Sequence, residues 1–258
     1  MSSAWRSGVA TAALIAATGV AMMAQDGRRG FGEGRRPVVI DAGKAEYDGR
    51  FSFVRLRYGP TGDQLIRREP TWAHDFPRAD FHFMKILGEI TFTRTFVDQG
   101  NILRLDDPDL TMFPIAYMSE PGFWTMSEAE MEGLRAYLQK GGFVIFDDFR
   151  ENHMDNLIAQ MRKVLPAANW RPLDAAHPVF HSFFDINSIT NVEGYYGIAE
   201  WHGIFEENDP AKRLLAVANY NHDLGEMWEY SGTGFMPVDI SNEAYKFGVN
   251  YVVYAMTH

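Results

Sequence analysis

One strand, helix, strand unit constrains the fold of this chain more than any other segment. Apolar strands are predicted over Phe113 to Met118 and over Phe143 to Phe146. Between them, Ser127 and Glu130 have the spacing of a capping box, and the helix that they start is predicted to end at Gly141-Gly142. Since two strands joined by one helix lie parallel, with a right-handed crossover, this unit predicts a parallel sheet.

The remainder of the chain continues the same alternation. Strand patterns cover Val54 to Tyr58, Ile102 to Leu105 and Leu214 to Ala218, and apolar residues recur at helical spacing between Met154 and Leu165 and between Ala244 and Ala255. We therefore predict a single α/β domain over residues 49–258.

The first residues have the composition of an export signal. Arg6 supplies a positive charge, an apolar run of mostly small residues follows over Gly8 to Met23, and Ala24 can end a cleavage site. A membrane anchor is the rival interpretation, but the run falls short of the ~20 strongly apolar residues of a spanning helix. We expect residues 1–24 to be a cleaved signal peptide, residues 25–48 to be a Gly/Arg-rich flexible tether, and the protein to be periplasmic or secreted in a bacterium.

The composition excludes some kinds of site and argues against one kind of partner. The chain has no cysteine, so it has no disulfide, no thiol nucleophile and no thiolate metal site. Its formal net charge of −10 argues against nucleic acid, because phosphate binding needs a basic face. No Gly-rich phosphate loop follows a predicted strand, and we therefore predict no nucleotide cofactor.

Acidic residues follow the predicted strands. Glu120 follows the first strand of the central unit, and Asp147 and Asp148 follow the second. Because ligands of open parallel sheets bind at the carboxyl ends of the strands, we expect an acidic cleft there, in which one of the two aspartates meets Glu120 and Asp106 or Asp107 can join them. Such carboxylates suit Mg²⁺ or Ca²⁺, sugar hydroxyls or acid/base catalysis. The alternative is local: Asp148 caps the next helix and Asp107 nucleates a turn.

Another polar segment follows the strand that ends at Ala218. Asn221, His222 and Asp223 offer an amide, an imidazole and a carboxylate, and Trp228 lies a few residues later. An aromatic ring beside several hydrogen-bonding groups is typical of sites for polar ligands and sugars. The alternative is a well-bonded loop with a buried tryptophan.

The other histidines give weaker signals. His74 and Asp75 stand at the start of a predicted helix, where an aspartate commonly acts as a cap. His177 and His181 have a metal-ligand spacing for a helix, but Pro178 lies between them, and no complete zinc ligand set is present.

Short motifs are spread over nearly all of the chain that follows the signal. They are Phe53 to Tyr58, Trp72 to Asp80, Leu105 to Pro108, Tyr117 to Gly122, Gly141 to Phe143 with Asp147 to Phe149, His177-Pro178, and Asn221 to Gly225 with Trp228-Glu229. In combination they resemble the exported bacterial proteins classed as Domain of Unknown Function 4159. That family is similar in fold to class I glutamine-amidotransferase-like domains, which implies a flavodoxin-like three-layer sandwich with a mostly parallel central sheet and helices on both faces. The resemblance supplies no established reaction.

The fold likeness also gives a test of amidotransferase chemistry. That chemistry uses a cysteine in a tight elbow flanked by glycines, whereas the corresponding turn here has Ser119 and Glu120. We therefore do not expect it. Ser119 as a hydrolase nucleophile would need a base such as His177 or His222 within reach.

Three functional hypotheses follow. The leading one is an exported module that binds a polar ligand, such as a carbohydrate or an envelope component, on the acidic strand-end face. The second is a hydrolase that uses the clustered carboxylates and histidine, with or without Mg²⁺ or Ca²⁺. The third is a structural or interaction subunit that uses Tyr195 to Phe205 as its contact surface. The candidate catalytic residues are Asp147, Glu120, His222 and Asp223, and the wider ligand-binding set adds Asp106, Asp107, Ser119, Asp148, Asn221 and Trp228.

Overall fold

The computed structural model of the protein describes residues 45–59, 65–66, 69–97, 99–190 and 192–258. The predicted signal peptide, residues 1–24, and residues 25–44 of the predicted tether lie outside the described residues, so both stay predictions. Within the described part of the chain, no helix combines the length and the apolar character that crossing a membrane requires.

The elements alternate as the sequence predicts. The strands are β1 (Val54–Arg57), β2 (Leu65–Ile66), β3 (Glu69–Pro70), β4 (Asn101–Arg104), β5 (Ile115–Ser119), β6 (Phe143–Phe149), β7 (Arg171–Pro172), β8 (Glu193–Gly194), β9 (Gly197–Ile198), β10 (Glu200–Phe205) and β11 (Leu214–Tyr220). The helices are α1 (Arg78–Thr91), α2 (Glu128–Gln139), α3 (His153–Val164), α4 (Leu224–Glu229) and α5 (Val238–Thr257).

One sheet organises the domain. Its strand order is β4-β1-β5-β6-β11-β10-β7, and the first five of these strands are mutually parallel. Numbered along the chain, the five parallel strands have the order 2-1-3-4-5, which is the order of flavodoxin-like folds. Strand β10 is antiparallel to β11 and extends the sheet beyond that core. The predicted flavodoxin-like α/β class is confirmed.

Helices cover both faces of the sheet. On one face, α1, α4 and α5 pack against side chains such as Phe143 and Ile145 of β6. On the other face, α2 and α3 pack against Val144 and Phe146 of the same strand. Because alternate residues of a strand point to opposite faces, a strand covered on both sides is apolar throughout, which explains the continuous apolar run of β6.

The best-defined local prediction is also confirmed. Ser127 Oγ accepts a hydrogen bond from the Glu130 amide at 3.3 Å, and the Ser127 amide donates to Glu130 Oε2 at 2.8 Å. This reciprocal pair satisfies two amides at the start of α2 that have no partner inside the helix.

A bulge at the end of β6 redirects the chain towards the edge of the sheet. Phe146 pairs with Ala218 and Phe149 pairs with Tyr220, so β6 advances three residues where β11 advances two. Asp148, within this irregular step, has a positive φ of 56°. A bulge re-aims the side chains around it, and here it places one acidic side chain at the carboxyl end of the sheet.

Candidate functional site

A polar cleft of about 500 Å³ lies at the carboxyl ends of the parallel strands. Loops that follow β1, β5, β6 and β11, together with the β8–β9 hairpin, contribute to its wall. The lining residues are Pro70, Thr71, His74, Asp75, Glu120, Phe123, Asp148, Arg150, His153, Tyr195, Glu226, Glu229 and Tyr230. The cleft occupies the position at which open α/β sheets bind their ligands.

Three of the acidic residues in this wall have backbone conformations that non-glycine residues seldom adopt. Asp75, Glu120 and Asp148 have φ values of 64°, 48° and 56°. Each such residue costs about 1–3 kcal/mol unless its surroundings hold it in place, and such residues concentrate at functional sites. Non-glycine residues with positive φ also lie outside this wall, so the backbone conformation supports this site only together with the side-chain geometry.

A buried ion pair fixes the loop that carries His74 and Asp75. Arg55 on β1 pairs with Asp80 on α1, and both side chains are buried. The same guanidinium donates through Nη1 to the carbonyls of Trp72 at 3.2 Å and of His74 at 2.9 Å. The His74 loop is therefore fixed to the centre of the fold. The predicted cap role of Asp75 is not seen, because Pro77 precedes α1 and no side chain caps that helix.

Four side chains meet at the floor of the cleft. His74, Asp75, Asp148 and Asp223 each offer one ligand atom, and these atoms all lie within 4.8 Å of one another. His74 Nδ1 is 2.8 Å from Asp148 Oδ2 and 3.3 Å from Asp75 Oδ1, but its N–H is not aligned for a hydrogen bond with either of them. Asp75 Oδ2 is buried and accepts no hydrogen bond from the described residues. We call these four residues the floor cluster.

Tyr195 covers the floor cluster from the β8–β9 hairpin. Its hydroxyl donates to Asp223 in a short contact and lies 3.2 Å from Asp148 Oδ1 and 3.3 Å from Glu226 Oε2. Asn221 holds the hairpin in place, because it accepts from the Tyr196 amide at 3.0 Å and donates to the Ile198 carbonyl at 3.1 Å. A phenol hydroxyl has one proton, so the Tyr195 hydroxyl lies near three carboxylates but can donate a hydrogen bond to only one of them at a time.

Acidic side chains outnumber basic ones in the wall of the cleft, and the pKa values of its residues reflect this excess. Burial, together with the nearby charge of Asp148, raises the pKa of Glu120 to about 7. Burial and the charges of Asp148 and Asp75 raise the pKa of Asp223. Burial by itself would raise the pKa of Asp148, but His74 and Arg150 outweigh it and hold that pKa below its ordinary value. The contacts with Asp148 and Asp75 raise the pKa of His74 to about 12.

Asp147 lies outside this cleft, although it precedes Asp148. Its side chain points to the α1 and α5 face, where its Oδ1 accepts from Asn219 Nδ2 at 2.8 Å. Its Oδ2 accepts from the Tyr117 hydroxyl at 2.8 Å and from the amides of Leu224 and Gly225 at 2.8 and 3.1 Å. The sequence prediction that one of the two aspartates meets Glu120 is thus met by Asp148, and Asp147 instead joins β6 to α4.

Asp223 combines both roles that the sequence suggests for strand-end acids. Its Oδ1 accepts from the Glu226 amide at 2.7 Å and caps α4, while the same carboxylate belongs to the floor cluster. Gly225 in the first turn of that helix lies against the cluster, since a Cβ at that position would be 2.5 Å from Asp75 Oδ2. Glycine is required there by this close approach.

Other predicted site residues do not line the cleft. Asp106 pairs with Arg104 and Asp107 accepts from the Asp109 amide, so both stay in the turn after β4. The Trp228 ring is buried and stacks on Phe83 in the core. Ser119 is buried, with Oγ 3.5 Å from Asp148 Oδ2.

The predicted histidine sites are also separate from the cleft. His222 is buried beside Trp201, and with Asp223 it lines a smaller cavity of about 200 Å³ on the far side of Tyr195. His177 caps a short 3₁₀ helix through the Val179 amide at 3.1 Å, and His181 Nε2 contacts the Ala175 carbonyl at 2.6 Å. Neither His177 nor His222 is therefore placed to activate Ser119 from the cleft.

The sequence reasoning missed several residues of the cleft wall. It did not single out Arg150, His153, Tyr195 as a site residue, Glu226 or Tyr230. Tyr195 had the most usable signal, because Gly194 and Gly197 flank Tyr195-Tyr196 and indicate a tight hairpin. Arg150 directly follows β6 and the others lie several residues beyond strand ends, where only the folded loops decide which side chain enters the cleft.

Comparison with known proteins gives a family. A family model described as "Domain of unknown function (DUF4159)" matches residues 52–256. The chain belongs to this family. The match agrees with the resemblance of the sequence motifs, and it covers every element from β1 to α5 except Thr257, the last residue of α5. No curated protein matches the chain.

Proposed function

We propose that this DUF4159 protein is an exported module that binds a polar ligand rich in hydrogen-bond donors in the acidic cleft. The observation that carries the proposal is the excess of acceptors over donors at the floor of the cleft. Asp75, Asp148 and Asp223 are 6%, 2% and 3% exposed, yet Asp75 Oδ2 has no donor among the described residues, and Asp148 and Asp223 share the single Tyr195 hydroxyl. Buried carboxylates without partners are costly, and a ligand that donates hydrogen bonds or carries positive charge relieves that cost.

The upper wall of the cleft favours a ligand with both polar and apolar surface. The rings of Phe123 and Tyr230 and the charged groups of Arg150 and Glu229 all line the cleft. Sugar sites combine aromatic rings, which contact the apolar faces of the ligand, with carboxylates that accept from its hydroxyls. A carbohydrate or another polyhydroxylated envelope component fits this wall best.

A binding screen tests the proposal. Melting temperatures of the wild type would be measured against panels of neutral sugars, amino sugars and polyols, all in EDTA so that metal ions make no contribution. We expect at least one class to raise the melting temperature of the wild type, and to have less effect on Glu229→Gln, which alters the upper wall. Glu89→Gln changes an exposed carboxylate on α1 and serves as control. If no class of ligand is bound, or if all variants respond alike, the cleft is not the ligand site.

A hydrolase is the second candidate, and one observation favours it. Glu120 lines the cleft beside the floor cluster and has a pKa of about 7. A carboxyl group with a pKa near the working pH is suited to general acid or base catalysis. We expect Glu120→Gln to abolish turnover of any ester, phosphoester or glycoside found in a substrate screen while leaving the affinity for the substrate within about threefold. Unchanged turnover in that variant would exclude Glu120 as the acid or base.

The proposal that the protein is exported rests on its N-terminal sequence. A protein cleaved after Ala24 begins at Gln25. Intact-mass measurement of the protein from the cell envelope tests this directly, and recovery of the uncleaved mass from membranes would favour an anchor instead.

A further inference from the structure

We propose that the floor cluster, His74, Asp75, Asp148 and Asp223, is a binding site for one divalent transition-metal ion of the Zn²⁺ or Mn²⁺ class. The inference deepens the proposed function, since it assigns a metal to the same cleft. It does not depend on the identity of the organic ligand, and the two can fail separately.

Geometry is the first argument. The ligand atoms of the four residues all lie within 4.8 Å of one another, so a single ion placed among them can reach all four with small side-chain movements. The four residues come from one loop and two strand ends that the fold holds firmly. The Arg55–Asp80 pair fixes the loop of His74 and Asp75, and the β6 bulge and the α4 cap fix Asp148 and Asp223. A preorganised ligand set is what metal binding in a folded protein requires.

Unsatisfied atoms are the second argument, and they are independent of the first. Asp75 is 6% exposed, lines the cleft, and its Oδ2 has no hydrogen-bond donor among the described residues. His74 Nδ1 is paired with Asp75 Oδ1 at 3.3 Å and with Asp148 Oδ2 at 2.8 Å, so the buried atom that lacks a donor is Asp75 Oδ2. A buried polar atom without a partner calls for an explanation, and an ion that is bound by this imidazole and these carboxylates supplies one.

Charge balance is the third argument. Three aspartates face His74, and Arg150 lies 3.8 Å from Asp148; His74 gives up its proton when it binds an ion, so a divalent ion replaces one positive charge in the cluster with two. Glu120 and Glu226 add further acid to the wall. A divalent cation at the floor would compensate charges that the described side chains leave unbalanced.

The donor set selects the class of metal. Carboxylates alone suit Mg²⁺ and Ca²⁺, as stated for the predicted acidic cleft, but an imidazole nitrogen favours first-row transition ions. One nitrogen and three oxygens match Zn²⁺ or Mn²⁺, and the open side of the cluster faces the cleft, where water or a ligand atom can complete the coordination.

Metal titration of the full-length protein tests the inference. The protein would be stripped with EDTA and titrated calorimetrically with Zn²⁺, Mn²⁺, Mg²⁺ and Ca²⁺. We expect one equivalent of Zn²⁺ or Mn²⁺ to bind, at least about tenfold more tightly than Mg²⁺ or Ca²⁺, and to raise the melting temperature.

Variants locate the ion. We expect Asp75→Asn and His74→Ala to weaken binding by about 10- to 100-fold, and Glu229→Gln, which removes an acid of the same cleft outside the cluster, to weaken it less than about threefold. Circular dichroism confirms that each variant is folded, and the visible spectrum of the Co²⁺-loaded wild type reports the ligand set without any substitution. An absence of binding up to millimolar metal, or equal losses in Asp75→Asn and Glu229→Gln, would overturn the inference.

The organic-ligand screen in EDTA and the metal titration test the two proposals independently. If the protein binds metal but no organic ligand, the metal site stands and the proposed organic ligand is rejected. If it binds an organic ligand in EDTA but no metal, the proposed ligand stands and the metal site is rejected.

Discussion

Asp147 and Asp148 are adjacent in the sequence, but their side chains have different partners. Every oxygen of Asp147 has a donor, from the Tyr117 hydroxyl, the Asn219 amide and two backbone amides of α4. Asp148 shares the His74 imidazole with Asp75 and the Tyr195 hydroxyl with Asp223, and it also lies near Ser119 Oγ and Arg150. The first network joins elements of the fold, whereas the donors of the second are shared among three buried aspartates and leave Asp75 Oδ2 without one. Burial alone therefore does not distinguish the two aspartates; their partners do.

The largest expected effect comes from making the same change at each of the two neighbours. Asp147→Asn places an NH₂ group among groups that donate, so we expect it to lower the free energy of unfolding by about 2–4 kcal/mol. Asp148→Asn keeps a residue type that tolerates the left-handed conformation and removes repulsion from Asp223, although it also removes the charge that faces His74 and Arg150, so we expect the smaller loss of the two. Urea unfolding in EDTA measures both, and equal losses would contradict the comparison.

Tyr195 tests the shared donor. Tyr195→Phe removes the only hydroxyl that bridges Asp148, Asp223 and Glu226 among the described residues, and we expect a loss of about 1.5–3 kcal/mol, the usual range for a hydrogen bond to a charged group. Tyr196→Phe is the matched control, because that ring is 70% exposed, and its effect should stay within about 0.5 kcal/mol. A Tyr195→Phe variant as stable as the control would show that the hairpin does not stabilise the cluster.

The raised pKa of Glu120 makes the stability of the folded protein depend on pH. Its pKa is about 7 in the folded protein against an ordinary value of 4.5, so the folded state binds the proton more tightly than the unfolded state does. The resulting stabilisation is complete below about pH 4.5 and is lost as the pH rises through 7. We expect Glu120→Gln to match the wild type at pH 4.5 and to exceed its stability at pH 8 by about 1–2 kcal/mol, after allowance for solvent screening.

Denaturant unfolding across that pH range, with Glu89→Gln as the exposed control, checks this expectation. A constant difference between Glu120→Gln and the wild type would contradict it.

The smallest effect separates the two roles of Asp223. Asparagine caps helices about as well as aspartate, so Asp223→Asn keeps the cap on α4 and removes a charge from a crowded site; we expect a gain of about 0.5–1 kcal/mol in EDTA. Asp223→Ala removes the cap as well and should be less stable than Asp223→Asn by about 1 kcal/mol. If both variants are equally destabilised, Asp223 acts through its charge in the fold and the crowding interpretation fails.

The sequence predicted the fold better than the site. The strand, helix, strand unit with its capping box determined the parallel sheet, because local propensity and capping chemistry agree there with the global topology. It also pointed to the edge of the sheet where the polar cleft lies, and to Glu120, Asp148 and Asp223 at that edge, since carboxyl ends of parallel strands meet at one edge.

The sequence could not distinguish Asp147 from Asp148 or give His74, Asp75 and Tyr195 their weight. Strand periodicity states only that consecutive side chains diverge, and the β6 bulge then decides which of them faces the cleft. His74 reaches the cluster because Arg55 binds its loop from β1, and Tyr195 reaches it because Asn221 fixes a hairpin more than twenty residues away.

By itself, the sequence determined the α/β class, the absence of thiol chemistry and the edge of the sheet that carries acid. Those properties follow from composition and from periodic patterns that each segment carries alone. Only the tertiary structure decided which acids are satisfied and which lack partners, because donors and acceptors that are distant in the chain meet only after the strands have paired and the loops have packed.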